Sequence, residues 1–192
     1  MKRHIMVKGA SEMKELEVKV LNIDLIEMEG KLIKLGGKLI DKELQVNTLI
    51  DTVDNYIENN LDSYMRIRET KSLLTGNVKL TLTMKKNVSR DGVRENIEIN
   101  TDISNKEAML EILKALGYIV KEEGTKERIS YDFNGIRFDL DRWDEKTYPY
   151  PYMEIEVNNE GELQDIVEKL GIARENISTK SIVDLRREAN LM

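Results

Sequence analysis

The sequence predicts an α+β domain in which antiparallel strands close around a charged interior, with helices covering the apolar outside. Three observations lead there. Acidic pairs recur at every-other-residue spacing, in Glu15-Leu-Glu17, Asp139-Leu-Asp141 and Glu154-Ile-Glu156. Side chains at i and i+2 of a strand share a face, roughly 7 Å apart, so each pair repels itself unless positive charge lies between. Basic residues alternate in the same way in Arg66-Ile-Arg68 and Lys126-Glu-Arg128, and the opposite face of each segment is apolar. One wet and one core face of an antiparallel sheet would account for any single strand. Seven strands with both signs of charge gathered on one face point instead to a shared, charged interior.

The elements follow in order. Alternation over Met13–Val20 predicts a strand. Asp24-Leu-Ile-Glu27 resembles a capping box, apolar Leu25, Met28, Leu32 and Leu35 follow at helical spacing, and Gly36-Gly37 closes the helix. Asp41–Thr52 is extended and rich in branched residues, and Asn55–Ser63 is a polar connection into a strand at Tyr64–Glu69. Thr75-Gly-Asn77 turns into the strand Val78–Lys85, and Ser89-Arg-Asp-Gly92 turns into Val93–Asn100. Ser104-Asn-Lys-Glu107 opens a helix over Glu107–Leu116 that Gly117 closes. Strands are expected at Ile119–Glu123, Lys126–Phe133 and, after the Asn134-Gly135 turn, Ile136–Trp143. Asp144–Tyr152 holds both prolines and reads as a loop. Its tyrosines and Trp143 are expected to cover a barrel end, the methionines to fill core. The strand Met153–Val157 precedes helices at Glu162–Leu170 and Ser181–Ala189, with Arg186-Arg187-Glu188 on a solvated face.

Composition bounds the chemistry. The chain has 192 residues, 40% hydrophobic and 34% charged, which suits one globular domain. Residues 1–12 read as a flexible lead-in and 13–192 as a single domain. No run approaches the ~20 apolar residues of a membrane span, and the start lacks an apolar stretch of signal-peptide length, so a cytoplasmic protein with no membrane partner is expected. A net charge of −6 argues against broad nucleic-acid binding. There is no cysteine, and the one histidine, His4, lies outside every patterned segment. That removes thiolate and imidazole ligands and leaves carboxylate oxygen, which Mg²⁺, Mn²⁺ and Ca²⁺ prefer.

Lys19, Arg66, Arg68, Lys79, Lys85, Arg94, Lys126 and Arg128 form a second constellation on the charged faces. A salt-bridge lattice explains part of it. Buried ion pairs rarely repay their desolvation, however. Cations for phosphate oxygens beside carboxylates for metal match a metal–phosphate complex, and so phosphoryl or nucleotidyl transfer.

These residues also carry a family resemblance. Glu15-Leu-Glu17-Val-Lys19 resembles the ExExK signature of the CYTH superfamily, the triphosphate tunnel metalloenzymes. The ordered set continues with Arg66-Ile-Arg68, Lys85, Arg94, Lys126-Glu-Arg128, Asp139-Leu-Asp141, Glu154-Ile-Glu156 and Lys180-Ser181. The segment from Gln45 to Thr52 resembles the family's QxDxYxDT strand, with Asn47 in place of Asp and Leu49 in place of Tyr. The resemblance implies an eight-stranded antiparallel β-barrel whose lumen binds a triphosphate with Mg²⁺ or Mn²⁺. It implies Glu15, Glu17, Asp139, Asp141, Glu154 and Glu156 as metal ligands. Lys19, Arg66, Arg68, Lys85, Arg94, Lys126, Arg128 and Lys180 would hold phosphate, with Glu15, Glu17 and Lys85 as catalytic candidates. The leading expectation is a metal-dependent triphosphatase acting on a small-molecule triphosphate, as monomer or homodimer. A class IV-like adenylyl cyclase and a non-catalytic polyphosphate- or nucleotide-binding module are the alternatives.

Overall fold

The computed structural model describes residues 11–89 and 94–191, with side chains from residue 16 onward. Most of the expected lead-in and the residues Arg90–Gly92 of the expected turn lie outside the described residues. Nine strands are described: β1 (Ser11–Val20), β2 (Lys38–Thr52), β3 (Ser63–Ser72), β4 (Val78–Ser89), β5 (Arg94–Asp102), β6 (Tyr118–Phe133), β7 (Ile136–Trp143), β8 (Tyr152–Val157) and β9 (Ile177–Ser178). The helices among the described residues are α1 (Leu25–Leu35), α2 (Tyr56–Leu61), α3 (Lys106–Ala115), α4 (Glu160–Leu170) and α5 (Ile182–Glu188), with a short 3₁₀ turn at Arg174–Asn176. The strands pair antiparallel in the order β5-β4-β3-β2-β6-β7-β8-β1, and β1 returns to β5 to close an eight-stranded barrel. β9 is a ninth, extra strand on the end of β1, opposite Lys19 and Val20.

Alternation decides what goes where. The outward side chains of β1, β6, β7 and β8 (Val18, Val20, Tyr131, Phe138, Leu140, Met153, Ile155) pack against Met28 and Leu32 of α1 and Leu163, Ile166 and Leu170 of α4. A second cluster places Ile50, Met65 and Ile67 under Ile57 of α2 and Leu113 of α3. Each such burial contributes about 1.5–3 kcal/mol. The hydrophobic core therefore lies between the staves and the helices, and the polar faces point to a common interior.

Local signals place the helices. Asp24 accepts from Glu27 N–H at 2.8 Å to start α1, and Gly36, at φ +96°, closes it in the left-handed conformation that glycine tolerates best. α5 has a full capping box between Ser181 and Asp184. Three expectations need correction. Asn55–Ser63 contains α2, a helix of six residues, because the buried Asp51 carboxylate accepts from the N–H groups of Ile57 and Glu58. α3 is capped by Asn105, not Ser104: the Asn105 side chain accepts from Ala108 N–H. The two strands expected around Gly124 are one, β6, which pairs with β2 along its length. At Gly124 a Cβ would run into Thr147 Oγ1 and lie 3.2 Å from its Cγ2. Glycine is there for a close approach of the 144–151 loop, not to end a strand.

Candidate active site: a charged tunnel

A cavity of about 1310 Å³ runs through the barrel. One end is rimmed by α2, α5, Trp143 and Tyr152, the other by Glu43, Thr70, Lys79, Thr81 and Asp102. Its walls carry Glu17, Lys19, Gln45, Asn47, Arg66, Arg68, Lys85, Arg94, Glu98, Lys126, Arg128, Glu154 and Glu156, so the sequence parity selected the right face.

On one side of the lumen Glu17, 4% exposed, is the hub. It accepts from Asn96 Nδ2 at 3.0 Å and Lys85 Nζ at 3.3 Å, with Arg94 Nε at 4.0 Å. Next to it on the barrel wall, Lys19 Nζ lies 3.0 Å from Glu154 Oε1 and above the ring of Tyr152. Glu156 lines the same wall, opposite Glu17 and Arg137 in register. Lys19, Arg128 and Lys126 hold the Glu154 carboxyl well below the usual carboxylate range.

On the opposite side Arg128 is caged. Its Nε and Nη2 donate to Asp141 at 2.7 and 2.6 Å, Nη1 to Asp139 at 2.5 Å, and Nη2 also to Glu154 at 2.6 Å. Despite its burial, the three carboxylates raise its pKa well above the ordinary value. Lys126 Nζ shares Asp141 at 2.9 Å, but that carboxylate is already committed to Arg128. Burial and repulsion from Arg128 and Arg68 therefore win, and the Lys126 ammonium is pushed down to about 7. Arg68, beside Arg66 and Arg128, is pushed down to about 9 by burial and by those two charges. Arg66 lies over the Tyr64 ring and meets Glu98 at 3.4 Å, while its buried Nε has no acceptor among the described residues.

Several expected roles change. Asp139 and Asp141 are 0% exposed and stand behind the basic wall. Asp139 accepts from Ser130 Oγ (2.6 Å), Arg137 Nε (2.9 Å) and Arg128, and Asp141 from Arg128 and Lys126. Their oxygens orient these cations, and neither residue is among those that line the cavity. Lys180 does not reach inward: its ammonium is half exposed and pairs with Glu188 at 2.6 Å. Arg186, expected on a solvated face, is buried and bonds Glu122 of β6. The side chain of Glu15 lies outside the described residues. Lys79 sits at the exposed rim with Asp102, 3.0 Å away.

The aromatic expectation holds for the loop. Tyr148 and Tyr152 are buried against Leu185 and Ile182 of α5, with Trp143 Nε1 donating to the Tyr152 hydroxyl at 2.9 Å. Asn96, Ser130 and Arg137 carry no role in the sequence motifs, and Gln45 and Asn47 belong to the strand that resembles QxDxYxDT but were given no part in the site. The signal for them was present in parity, since all lie on the charged face of their strands.

Among the described residues no group of three or more acids converges as a ready-made metal cage. The lumenal oxygen donors Glu17, Glu154 and Glu156 nonetheless fit Mg²⁺ or Mn²⁺, because such ions are commonly held by one or two carboxylates together with phosphate oxygens and water. No helix among the described residues is long and apolar enough to cross a membrane.

The comparisons agree with this geometry. A Methanocaldococcus jannaschii protein, whose assignment as an adenylate cyclase is itself provisional, is 29% identical over 181 residues, 90% of this chain and 98% of that one. A Pyrococcus horikoshii protein of solved structure superposes with a TM-score of 0.71 at 25% identity, covering 89% of this chain and 98% of that one. A Hippeastrum protein, provisionally an adenylyl cyclase and described as having dominant triphosphatase activity, shares the fold with a TM-score of 0.68 at 15% identity over 93% of this chain and 96% of its own. Residues 13–182 match the CYTH domain. With that match over most of its length, and with the barrel and charged lumen just described, the chain belongs to the CYTH family.

Proposed function

We propose that the protein is a divalent-metal-dependent triphosphatase that binds a triphosphate group in the tunnel and hydrolyses a phosphoanhydride bond. The observation that carries this reading is the wall of Arg66, Arg68 and Lys126, where cations crowd one another and a buried guanidinium nitrogen lacks an acceptor. An anion with several oxygens relieves both. Arg66, Arg68, Lys126 and Arg128 would bind and neutralise the phosphate oxygens, and Lys19, Lys85 and Arg94 would close the opposite side. Glu17, Glu154 and Glu156 would hold Mg²⁺ or Mn²⁺, which when bound supplies charge neutralisation on the phosphate. Water attacks the terminal phosphorus, the bridging P–O bond breaks, and tripolyphosphate gives orthophosphate and diphosphate, with a lumenal carboxylate taking the proton. The triphosphatase activity described for the Hippeastrum protein, which shares the fold, is in keeping with this.

The test is a panel of tripolyphosphate, thiamine triphosphate and ATP with Mg²⁺ or Mn²⁺. Metal-dependent orthophosphate release supports the proposal. Cyclic AMP with diphosphate would assign a cyclase, the reaction named provisionally for the Methanocaldococcus relative, and tight binding with no product would assign a binding module. Glu17→Gln should keep the native circular-dichroism spectrum and lose about 100-fold or more in turnover. Full activity in that variant would remove Glu17 from the site.

A further inference from the structure

Asn47 lies on β2 between Arg68 of β3 and Gly124 of β6. It faces the tunnel and is 7% exposed. Arg68 Nε donates to Asn47 Oδ1 at 2.7 Å, which fixes the amide: only its oxygen can accept, so Nδ2 points away from the guanidinium. Nδ2 is buried and has no acceptor among the described residues, the same condition as Arg66 Nε on the adjacent strand. A buried donor left unsatisfied costs about 1–3 kcal/mol, and two around one guanidinium make half of an anion site.

The second half of the argument is charge. Asn and Asp have the same shape, and a carboxylate at this position would hold Arg68 through the same oxygen while neutralising it. The amide positions Arg68 and leaves its charge intact. Among the described residues no carboxylate lies within ion-pair distance of Arg68, whose hydrogen-bond partner is this neutral amide.

We propose that Asn47 is a substrate-contacting, specificity-determining residue: it donates Nδ2–H to a phosphate oxygen and, by being uncharged, leaves Arg68 to the same anion, so that the tunnel takes up inorganic polyphosphate without metal. This rests on the triphosphate reading above. An uncompensated cation rewards the ligand with the greatest charge, and inorganic tripolyphosphate ionises at both terminal phosphates. An organic triphosphate has one of those oxygens esterified and gains less.

The experiment is calorimetric titration of tripolyphosphate and of ATP into the wild type, Asn47→Ala and Asn47→Asp in metal-chelating buffer, with melting temperatures recorded with and without ligand. The wild type should bind tripolyphosphate more tightly than ATP. Asn47→Ala should weaken tripolyphosphate binding about 10-fold, and Asn47→Asp about 100-fold or more. The ligand-free Asn47→Asp protein should melt no lower than the wild type, because the new carboxylate pairs with Arg68, while its tripolyphosphate-induced melting shift shrinks. A purely structural Asn47 would lower both melting temperatures and leave chelated affinity within about twofold, and either variant alone suffices to overturn the assignment on that result. If the wild type hydrolyses triphosphates with metal yet Asn47→Asp binds as it does in chelator, the Asn47 assignment fails by itself. If the wild type neither binds nor hydrolyses them, the functional reading falls with it.

Discussion

Anion binding to this tunnel should take up a proton, and Lys126 is where the proton goes. Burial and the flanking Arg128 and Arg68 push its ammonium from the ordinary 10.5 to about 7. Carrying that shift costs the folded, charged form on the order of 5 kcal/mol. The unfolded chain keeps Lys126 protonated up to the ordinary value, so this group opposes folding most below pH 7. Stability of the ligand-free protein should therefore rise as pH climbs from 7 toward 10. A bound anion reverses the balance. At pH 8 a group of pKa about 7 is about 10% protonated; returned to 10.5 by a phosphate or sulfate, it is fully protonated, so binding takes up about 0.9 proton per site. At pH 7 the figure is about 0.5, and affinity should fall about fivefold between pH 7 and 8. Sulfate, which has no proton to lose in this range, is the clean probe. The absence of cysteine and the presence of a single histidine, His4, leave few side chains that ordinarily titrate in this window. Isothermal titration in two buffers of different ionisation enthalpy at pH 8 measures the uptake, and Lys126→Met, which removes the ammonium that lies 5.4 Å from the centre of the Trp143 ring and keeps an unbranched side chain, should abolish most of it. Uptake near zero in the wild type, or equal uptake in Lys126→Met, would refute the reasoning.

Arg128→Met should cost about 3–5 kcal/mol in urea unfolding at pH 7, because Asp139, Asp141 and Glu154 lose their shared cation while staying buried. The depression of Asp139 and Glu154 below the usual carboxylate range is stability present above their ordinary values and lost as pH falls, so the gap between variant and wild type should narrow below about pH 4; a constant gap would sink the cage as its cause. Gly124→Ala should lose about 1–3 kcal/mol because its methyl group meets Thr147. Its backbone is not in the left-handed region, so alanine would otherwise be tolerated, and unchanged stability would show that the 144–151 loop yields easily.

Much of the barrel was legible because a two-residue period states which face each strand buries, and the outcome follows strand by strand: Val18 and Val20 out, Glu17 and Lys19 in. What parity does not state is who meets whom across the lumen. It put Asp139 and Asp141 on the charged face correctly, yet their partners Arg128, Lys126 and Ser130 are set by β6–β7 register. That register sets Asp141 opposite Arg128 and Asp139 opposite Ser130. α2 was missed because the carboxylate serving its first turn, Asp51, precedes it on another element. Gly124 was misread because glycine in a strand signals either an ending or a near neighbour, and the neighbour, Thr147, is twenty-three positions away in sequence. Lys180 carried the right charge near the right helix, but Glu188, a surface acid at the far end of that helix, claims it.

Greasy packing outside the staves and ionic chemistry within them assign shape and recognition largely to different residues, with the Arg128 cage serving both. Exterior positions such as Phe138 and Ile155 hold the shape, whereas changes at many interior positions rewrite the ligand's oxygen-by-oxygen address with little disturbance of the hydrophobic layer. Such a scaffold can drift from one ligand to another by small edits to its bore.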